Sequence, residues 1–338
     1  MNNDAPERIL ELLKKTKKPV VCMDSRFDFD ALCAPVALQK VLKKHFDIDL
    51  RITRTGAFSG RTREIVNDIF DISGIEENVD PNNLDFSKHD LLIVLDAGQL
   101  GHIAESQTFT PNVKIPILNI DHHDSNSHYG DLNYVKVFGS ACTVLYELLK
   151  EMNIKIDKDI AKILLLGNIT DNGFFQYNTT TTEDLRAAAD YMDMGVSLYE
   201  LIWKLNFNED YEDMKLKGLV FTNMEVDTAR KLAYVILTQK HLEERNINLN
   251  ETVYPPADII KRLRNANFVF VVTELKDENN MYNVSLRSHY EHIDVSQLAK
   301  LMGGGGHKMA AGFNMKASSP KDVVEKVVEL AEKLKLTN

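Results

Sequence analysis

Short apolar runs that each end in an acid constrain this chain more than any other feature. PVVCMD (19–24), HDLLIVLDAG (89–98) and IPILNIDHH (115–123) are continuous and strand-length, and they carry Asp24, Asp96 and Asp121 at their ends. Continuous apolar character, in place of alternation, marks strands buried on both faces. Helix-length segments lie between and after them: ALCAPVALQKVLKKHF (31–46), TREIVNDIFDI (62–72), ACTVLYELLKEM (141–152), KDIAKILLLGNITDN (158–172) and DLRAAADYMDMG, which closes on Gly195. PERILELLKK adds an amphipathic first helix and IDLRITRT a further strand. Pro35 is tolerated near the start of its helix. This alternation predicts an α/β fold over 1–196, a mostly parallel sheet flanked by helices. In such sheets ligands gather beyond the carboxyl ends of the strands. Asp24, Asp96 and Asp121 are therefore expected to share one site.

The pattern changes afterwards. Residues 197–227 read as a helical connector. A smaller α/β domain follows over 228–338: strand KLAYVILT, helix PADIIKRLRNA, strands FVFVVTEL and YNVSLRSH joined by a DENN turn, then DVSQLAKLM, GGGGHKMAAGF and the last helix DVVEKVVELAEKLK. A length of 338 residues suits two domains. The net charge of -10 argues against a surface for long duplex nucleic acid but leaves room for a short phosphorylated ligand. Cys22, Cys33 and Cys142 form no CxxC pair and are odd in number, which suits a reducing compartment. The N-terminus has no apolar signal-type stretch, and the apolar runs are far short of a membrane span. A cytoplasmic protein with no membrane partner is expected.

The acids gather in clusters. Asp24, Asp28 and Asp30 leave the first strand together, Asp96 follows LLIVL, Asp121-His122-His123 follows ILNI, and Asp171 lies in GNITDNGFFQYNTTT. Each segment alone also reads as an acidic loop or a helix cap, with Asp30 capping a helix that starts at Ala31. Together, several carboxylates and His122 form an oxygen-rich set suited to two divalent ions, Mn2+ by preference or Mg2+. Two such ions activate water and clamp a phosphoryl group. Walker and GxSxG motifs are absent, and no Rossmann fingerprint follows the first strand. Gly303, Gly304, Gly305 and Gly306 precede His307 and Lys308, and Arg287-Ser288 ends a nearby strand. Bare glycine backbone and an arginine fork suit an anion. His289 and His292 read as loop surface residues.

In order, DSRFDFDA, VLDAG, DHHDSN with GDLNYV, ITDNGFFQYNTT, SLRS and GGGGHKMAAGF resemble the motifs of the DHH–DHHA1 phosphoesterases, of the compact oligoribonuclease and pAp-phosphatase type. The resemblance covers nearly the whole chain. It implies an N-terminal DHH domain with two Mn2+ ions and a C-terminal DHHA1 domain that grips the substrate end. Carried over, Asp28 and Asp96 are ligands of one metal; Asp30, Asp96, His122 and Asp171 are ligands of the other. Asp24 stands at the first-motif ligand position. Asp121 orients His122, and His123 faces the scissile phosphate. Arg287, Ser288, Gly303–Gly306, His307 and Lys308 bind the substrate. The implied activity is hydrolysis of oligoribonucleotides, dinucleotides such as pApA, or 3′-phosphoadenosine 5′-phosphate. An exopolyphosphatase-like enzyme and an impaired nucleotide-binding protein are the alternatives, and a homodimer is the assembly to check for. One departure stands out. The family's first motif usually reads HxNPDGDA; here Asp24 replaces the His, and Arg26, Phe27 and Phe29 replace the Asn, Pro and Gly. That exchange fits an all-oxygen shell favouring Mg2+ or Mn2+, or a one-metal site.

Overall fold

The computed structural model describes residues 3–111, 114–207, 211–249, 255–276, 280–288, 290 and 292–337. His289 and most of the DENN turn lie outside them. The chain divides into two compact units, Met1–Asn208 and Glu209–Asn338.

In the first unit, strands β1 (Pro19–Cys22), β2 (Arg51–Thr53), β3 (Ile75–Glu76), β4 (Leu91–Leu95), β5 (Ile117–Asp121) and β6 (Leu132–Val135) form one sheet in the order β3-β2-β1-β4-β5-β6. Every pairing is parallel. Helices α1 (Pro6–Lys15), α2 (Phe29–Phe46), α3 (Gly60–Asn67), α4 (Ala141–Glu151), α5 (Lys158–Asp171), α6 (Thr182–Asp193) and α7 (Leu198–Ile202) accompany it. The strands are buried on both faces, as their continuous apolar runs require. Val21, Ile93 and Leu118 face the larger core with α2, α4 and α5. Val20, Cys22, Leu92 and Val94 face a second core with Phe86, Ile103 and Phe109. All three cysteines are buried thiols. Pro35 sits inside α2 beyond its first turn, and the helix continues through it.

The second unit carries α8 (Tyr211–Thr222), β7 (Met224–Asp227), β8 (Leu232–Leu237), α9 (Gln239–Glu243), α10 (Pro256–Ile260), β9 (Phe268–Glu274), β10 (Met281–Ser288), α11 (Val295–Leu301), β11 (Gly305–His307), β12 (Ala310–Lys316) and α12 (Pro320–Lys333). Its sheet is mixed, in the order β11-β12-β10-β9-β8-β7. Phe268, Phe270 and Val272 pack on one face with α12, while Val269 and Val271 pack on the other with Leu216, Leu219 and Val220 of α8. The connector expected over 197–227 is thus divided. Its first part goes with the first unit. Its later part supplies core side chains and an edge strand to the second, because α8 has a buried apolar stripe to cover. Among the described residues no helix is long and apolar enough to cross a membrane.

Candidate metal centre

Parallel pairing brings the carboxyl ends of β1, β4 and β5 to one edge, and the acids come with them. Asp121 is the last residue of β5, and Asp96 follows β4 directly with a left-handed backbone (φ 58°). A non-glycine residue in that region is uncommon, and such conformations collect at functional sites. Helices α2 and α5 add Asp28 and Asp30 at the start of one and Asp171 at the end of the other. Asp28 is the N-cap, accepting from the Ala31 N–H at 2.7 Å. The cap expected from Asp30 is therefore made by Asp28, because the helix begins two residues earlier, at Phe29. Asp30 is fully buried and turns to α4, accepting from the Ala141 and Cys142 N–H groups at 2.5 and 3.0 Å. Gly167 makes room for it, since a Cβ there would lie 2.8 Å from Asp30 Oδ1.

His122 is the hub. Its Nδ1 lies 3.1 Å from the Phe138 carbonyl, which only accepts, so Nδ1 carries the proton and Nε2 is left bare. That Nε2 faces Asp96 Oδ1 at 3.1 Å and Asp171 Oδ2 at 3.4 Å. A lone pair opposed to carboxylate oxygens is repulsive unless a cation lies among them. Without a metal, a second proton must serve. Burial alone would push the His122 imidazolium down, but Asp96, Asp30 and Asp171 together hold it well above the usual range. The acids answer in kind. Burial, with Asp28 nearby, pushes Asp96 well up. Loss of solvation raises Asp28, although the residue keeps an exposed face. Burial raises Asp30, and burial with Asp30 brings Asp171 to about 7. Crowded carboxylates that resist ionisation are a site short of positive charge.

Ligand atoms of Asp30, His122 and Asp171 lie within 4.8 Å of one another, as do those of Asp96, Asp121, His122 and His123. The residues present therefore fit a divalent cation: an imidazole nitrogen fixed by a backbone carbonyl, surrounded by carboxylate oxygens. Asp24 and Asp28 join neither group.

Asp121 does not orient His122, as expected, but His123. Its Oδ1 accepts from His123 Nδ1 at 2.8 Å and its Oδ2 from Asn126 Nδ2 at 2.5 Å. Burial would raise this carboxyl, but His123 and Asn126 hold it below the usual range, so it is ionised. His123 thus keeps its proton on Nδ1 and offers Nε2 from a half-buried ring. Asn126 and the Phe138 carbonyl had no signal in the sequence.

Asp24 is buried and paired with Arg26, which also reaches His102. Phe27 and Phe29, which replace small motif residues, meet edge to face at 5.8 Å. Phe27 also packs on Phe58 at 5.5 Å, and the Arg54 guanidinium lies 4.2 Å over the Phe58 ring. Arg54 is buried with Nε and Nη1 unbonded. Phe27, Asp28, Phe29, Asp30, Thr170 and Asp171 line a cavity of about 300 Å³.

In the second unit, Arg287 is clamped by Asp258 through Nε and Nη2 at 3.0 and 3.1 Å. Burial would raise Asp258, but Arg287 and Lys261 hold it below the usual range. Ser288 turns inward, with Oγ donating to the Ile293 carbonyl at 2.9 Å. Its hydroxyl proton is therefore already engaged within the second unit. Gly304 and Gly306 are forced by packing. A Cβ would lie 2.2 Å from the Gly312 carbonyl oxygen or 2.5 Å from that of Ala310, and Gly306 has φ 133°. Gly303 (φ 76°) and Gly305 have open space, and His307, Lys308 and His292 are exposed.

Fold and site together define a two-unit α/β protein with an Asp/His cluster that could hold a metal at the strand ends of its first sheet. A model of the DHH family, N-terminal domain, matches residues 18–168, and a DHHA1 domain model matches 243–335. The chain belongs to the DHH–DHHA1 family of phosphoesterases. It is 27% identical over 310 residues to a Streptococcus mutans protein named probable bifunctional oligoribonuclease and PAP phosphatase NrnA, covering 90% of this chain and 92% of that one. A Bacillus subtilis protein named bifunctional oligoribonuclease and PAP phosphatase NrnA is 28% identical over 233 residues, covering 67% and 70%. Among solved structures, an exopolyphosphatase-related protein of Bacteroides fragilis shares the fold, with TM-score 0.80 and 20% identity over 99% of this chain and 98% of that one.

Proposed function

We propose that this chain is a cytoplasmic, divalent-metal-dependent phosphoesterase acting on short nucleotides: oligoribonucleotides of a few residues, dinucleotides such as pApA, or 3′-phosphoadenosine 5′-phosphate. The observation that carries the reading is the bare Nε2 of His122 facing Asp96 and Asp171, with Asp30 beside them. Mn2+ suits this mixed imidazole and carboxylate set, with Asp30, Asp96, His122 and Asp171 as its holders. Bound there, the ion supplies a Lewis acid for a phosphoryl oxygen and lowers the pKa of water. The protein's own groups do the rest. His123, fixed by Asp121, presents Nε2 for proton transfer to the leaving oxygen. Arg287 and Lys308 are cations of the second unit suited to a substrate phosphate, with the exposed His307 beside Lys308. The names of the curated relatives support the substrate class. The net charge of -10 favours small substrates over long duplexes.

The test is a substrate panel with Mn2+: pApA, 3′-phosphoadenosine 5′-phosphate, polyphosphate and a long RNA. The reading expects turnover of a short nucleotide and little of the long RNA. Metal-loaded protein that cleaves none of the short nucleotides would refute it.

A further inference from the structure

Asp24 is almost wholly buried, yet both of its oxygens are already engaged. Oδ1 accepts from the Arg26 backbone N–H at 2.8 Å and from Arg26 Nε at 3.2 Å; Oδ2 accepts from Nη2 at 2.8 Å. The same Nη2 lies 2.7 Å from His102 Nδ1. A guanidinium only donates, so His102 Nδ1 accepts and its proton is on Nε2. Arg26 is thereby held at Asp24 by its own backbone turn, by a two-point ion pair and by a histidine from the loop after β4.

We infer that the Arg26 guanidinium, locked between Asp24 and His102, takes the place of one divalent ion, so that this chain holds a single ion at Asp30, Asp96, His122 and Asp171. The inference rests on the metal-centre reading above and goes beyond it in number and charge. A cation approaching the buried Asp24 would meet a fixed positive charge and would have to displace a bidentate pair. Asp28, the other acid of that loop, holds the Ala31 N–H as the cap of α2. Among the described residues, the two groups with mutual ligand reach exclude Asp24 and Asp28, and both depend on His122. His122 has one free nitrogen, so it serves one ion. In the group that contains them, Asp121 and His123 are bonded to each other.

Arg26 also keeps a capacity that an ion would have. Its side chain is 46% exposed, and Nη1 has no hydrogen-bond partner among the described residues. Arginine never loses its charge at working pH and matches phosphate oxygens with a planar fork. It can therefore neutralise a phosphoryl group where a second ion would.

The experiment counts ions. Full-length protein is saturated with Mn2+, desalted and assayed by elemental analysis, with calorimetric titration of Mn2+ into the metal-free chain. One ion per chain is expected. Two tightly held ions would overturn the inference. The Asp24→His/Arg26→Asn pair, checked for folding by circular dichroism, should rise to two. The milder Arg26→Gln should add a second, weaker Mn2+ isotherm. If both variants fold and stay at one ion, Arg26 is not what excludes the second. Asp171→Asn separates this failure from that of the underlying reading. Loss of the single ion, or at least a tenfold weakening, places it in the His122 cluster. Undiminished binding, or no ion in the parent, overturns the metal-centre reading together with this one.

Discussion

Asp171→Asn should change the sign of its effect on stability according to whether metal is present. Burial and the Asp30 carboxylate raise Asp171 from 3.8 to about 7 in the folded chain. A raised carboxyl leaves the folded state unpenalised below its unfolded pKa. Stability is then lost as pH rises through the folded value. The window is therefore about pH 4 to 7, with the full cost above it. A shift of about three units corresponds to about 4 kcal/mol, and relaxation of the neighbouring groups brings this to about 2–4 kcal/mol. In EDTA at pH 8, Asp171→Asn should be more stable than the parent by that amount, and the two should converge towards pH 4. With Mn2+ at a thousand times its dissociation constant, the parent gains about 4 kcal/mol. The variant, short of a ligand, gains much less, so the order reverses. Urea unfolding followed by circular dichroism at several pH values, with EDTA or Mn2+, reads all four cases. A variant less stable than the parent in EDTA at pH 8, or an order indifferent to Mn2+, would refute the reasoning.

Asp121→Asn sets an amide N–H against either His123 Nδ1–H or the Asn126 amide, so kcat should fall by about 10²–10⁴ with little change in KM; steady-state kinetics on a short nucleotide decides it, and a fall of under threefold would contradict the role given to His123. Asp258→Asn releases the Arg287 fork and should raise KM about tenfold while kcat stays within about threefold; a loss confined to kcat would show that Arg287 does not bind substrate. Gly306→Ala should cost about 2 kcal/mol or more, from positive φ and the Ala310 carbonyl, whereas Gly305→Ala has open space and should stay within about 0.5 kcal/mol; equal shifts in thermal midpoint would show that the hairpin is not packed as described.

The sheet of the first unit was legible because buried parallel strands are continuous apolar runs, and because an acid at the end of each must emerge at one edge. That logic carried Asp96, Asp121 and His122 to the site. It was misapplied for the Asp121 partner. Successive residues of an extended chain point to opposite faces, so Asp121 shares a side with His123, two residues on, and not with His122. Asp24 and Arg26 are also two residues apart, but there a backbone turn joins them, with the Arg26 N–H on Asp24 Oδ1. Other features had no local signal. Asp258 and Arg287 are 29 residues apart and meet only through tertiary packing. His102 sits on a short 3-10 helix, Leu100–Ile103. The inward turn of Ser288 depends on a carbonyl five residues ahead. The helical connector was read by its local pattern, but α8 has an apolar stripe that the second sheet covers, and tertiary burial decided its place.

The most direct measurement is an anomalous difference map at the manganese edge from crystals grown with Mn2+. The account predicts a peak in coordination contact with His122 Nε2 and carboxylate oxygens of Asp96 and Asp171, with Asp30 alongside and Arg26 still bound to Asp24. A peak elsewhere, or none at saturating Mn2+, would contradict it.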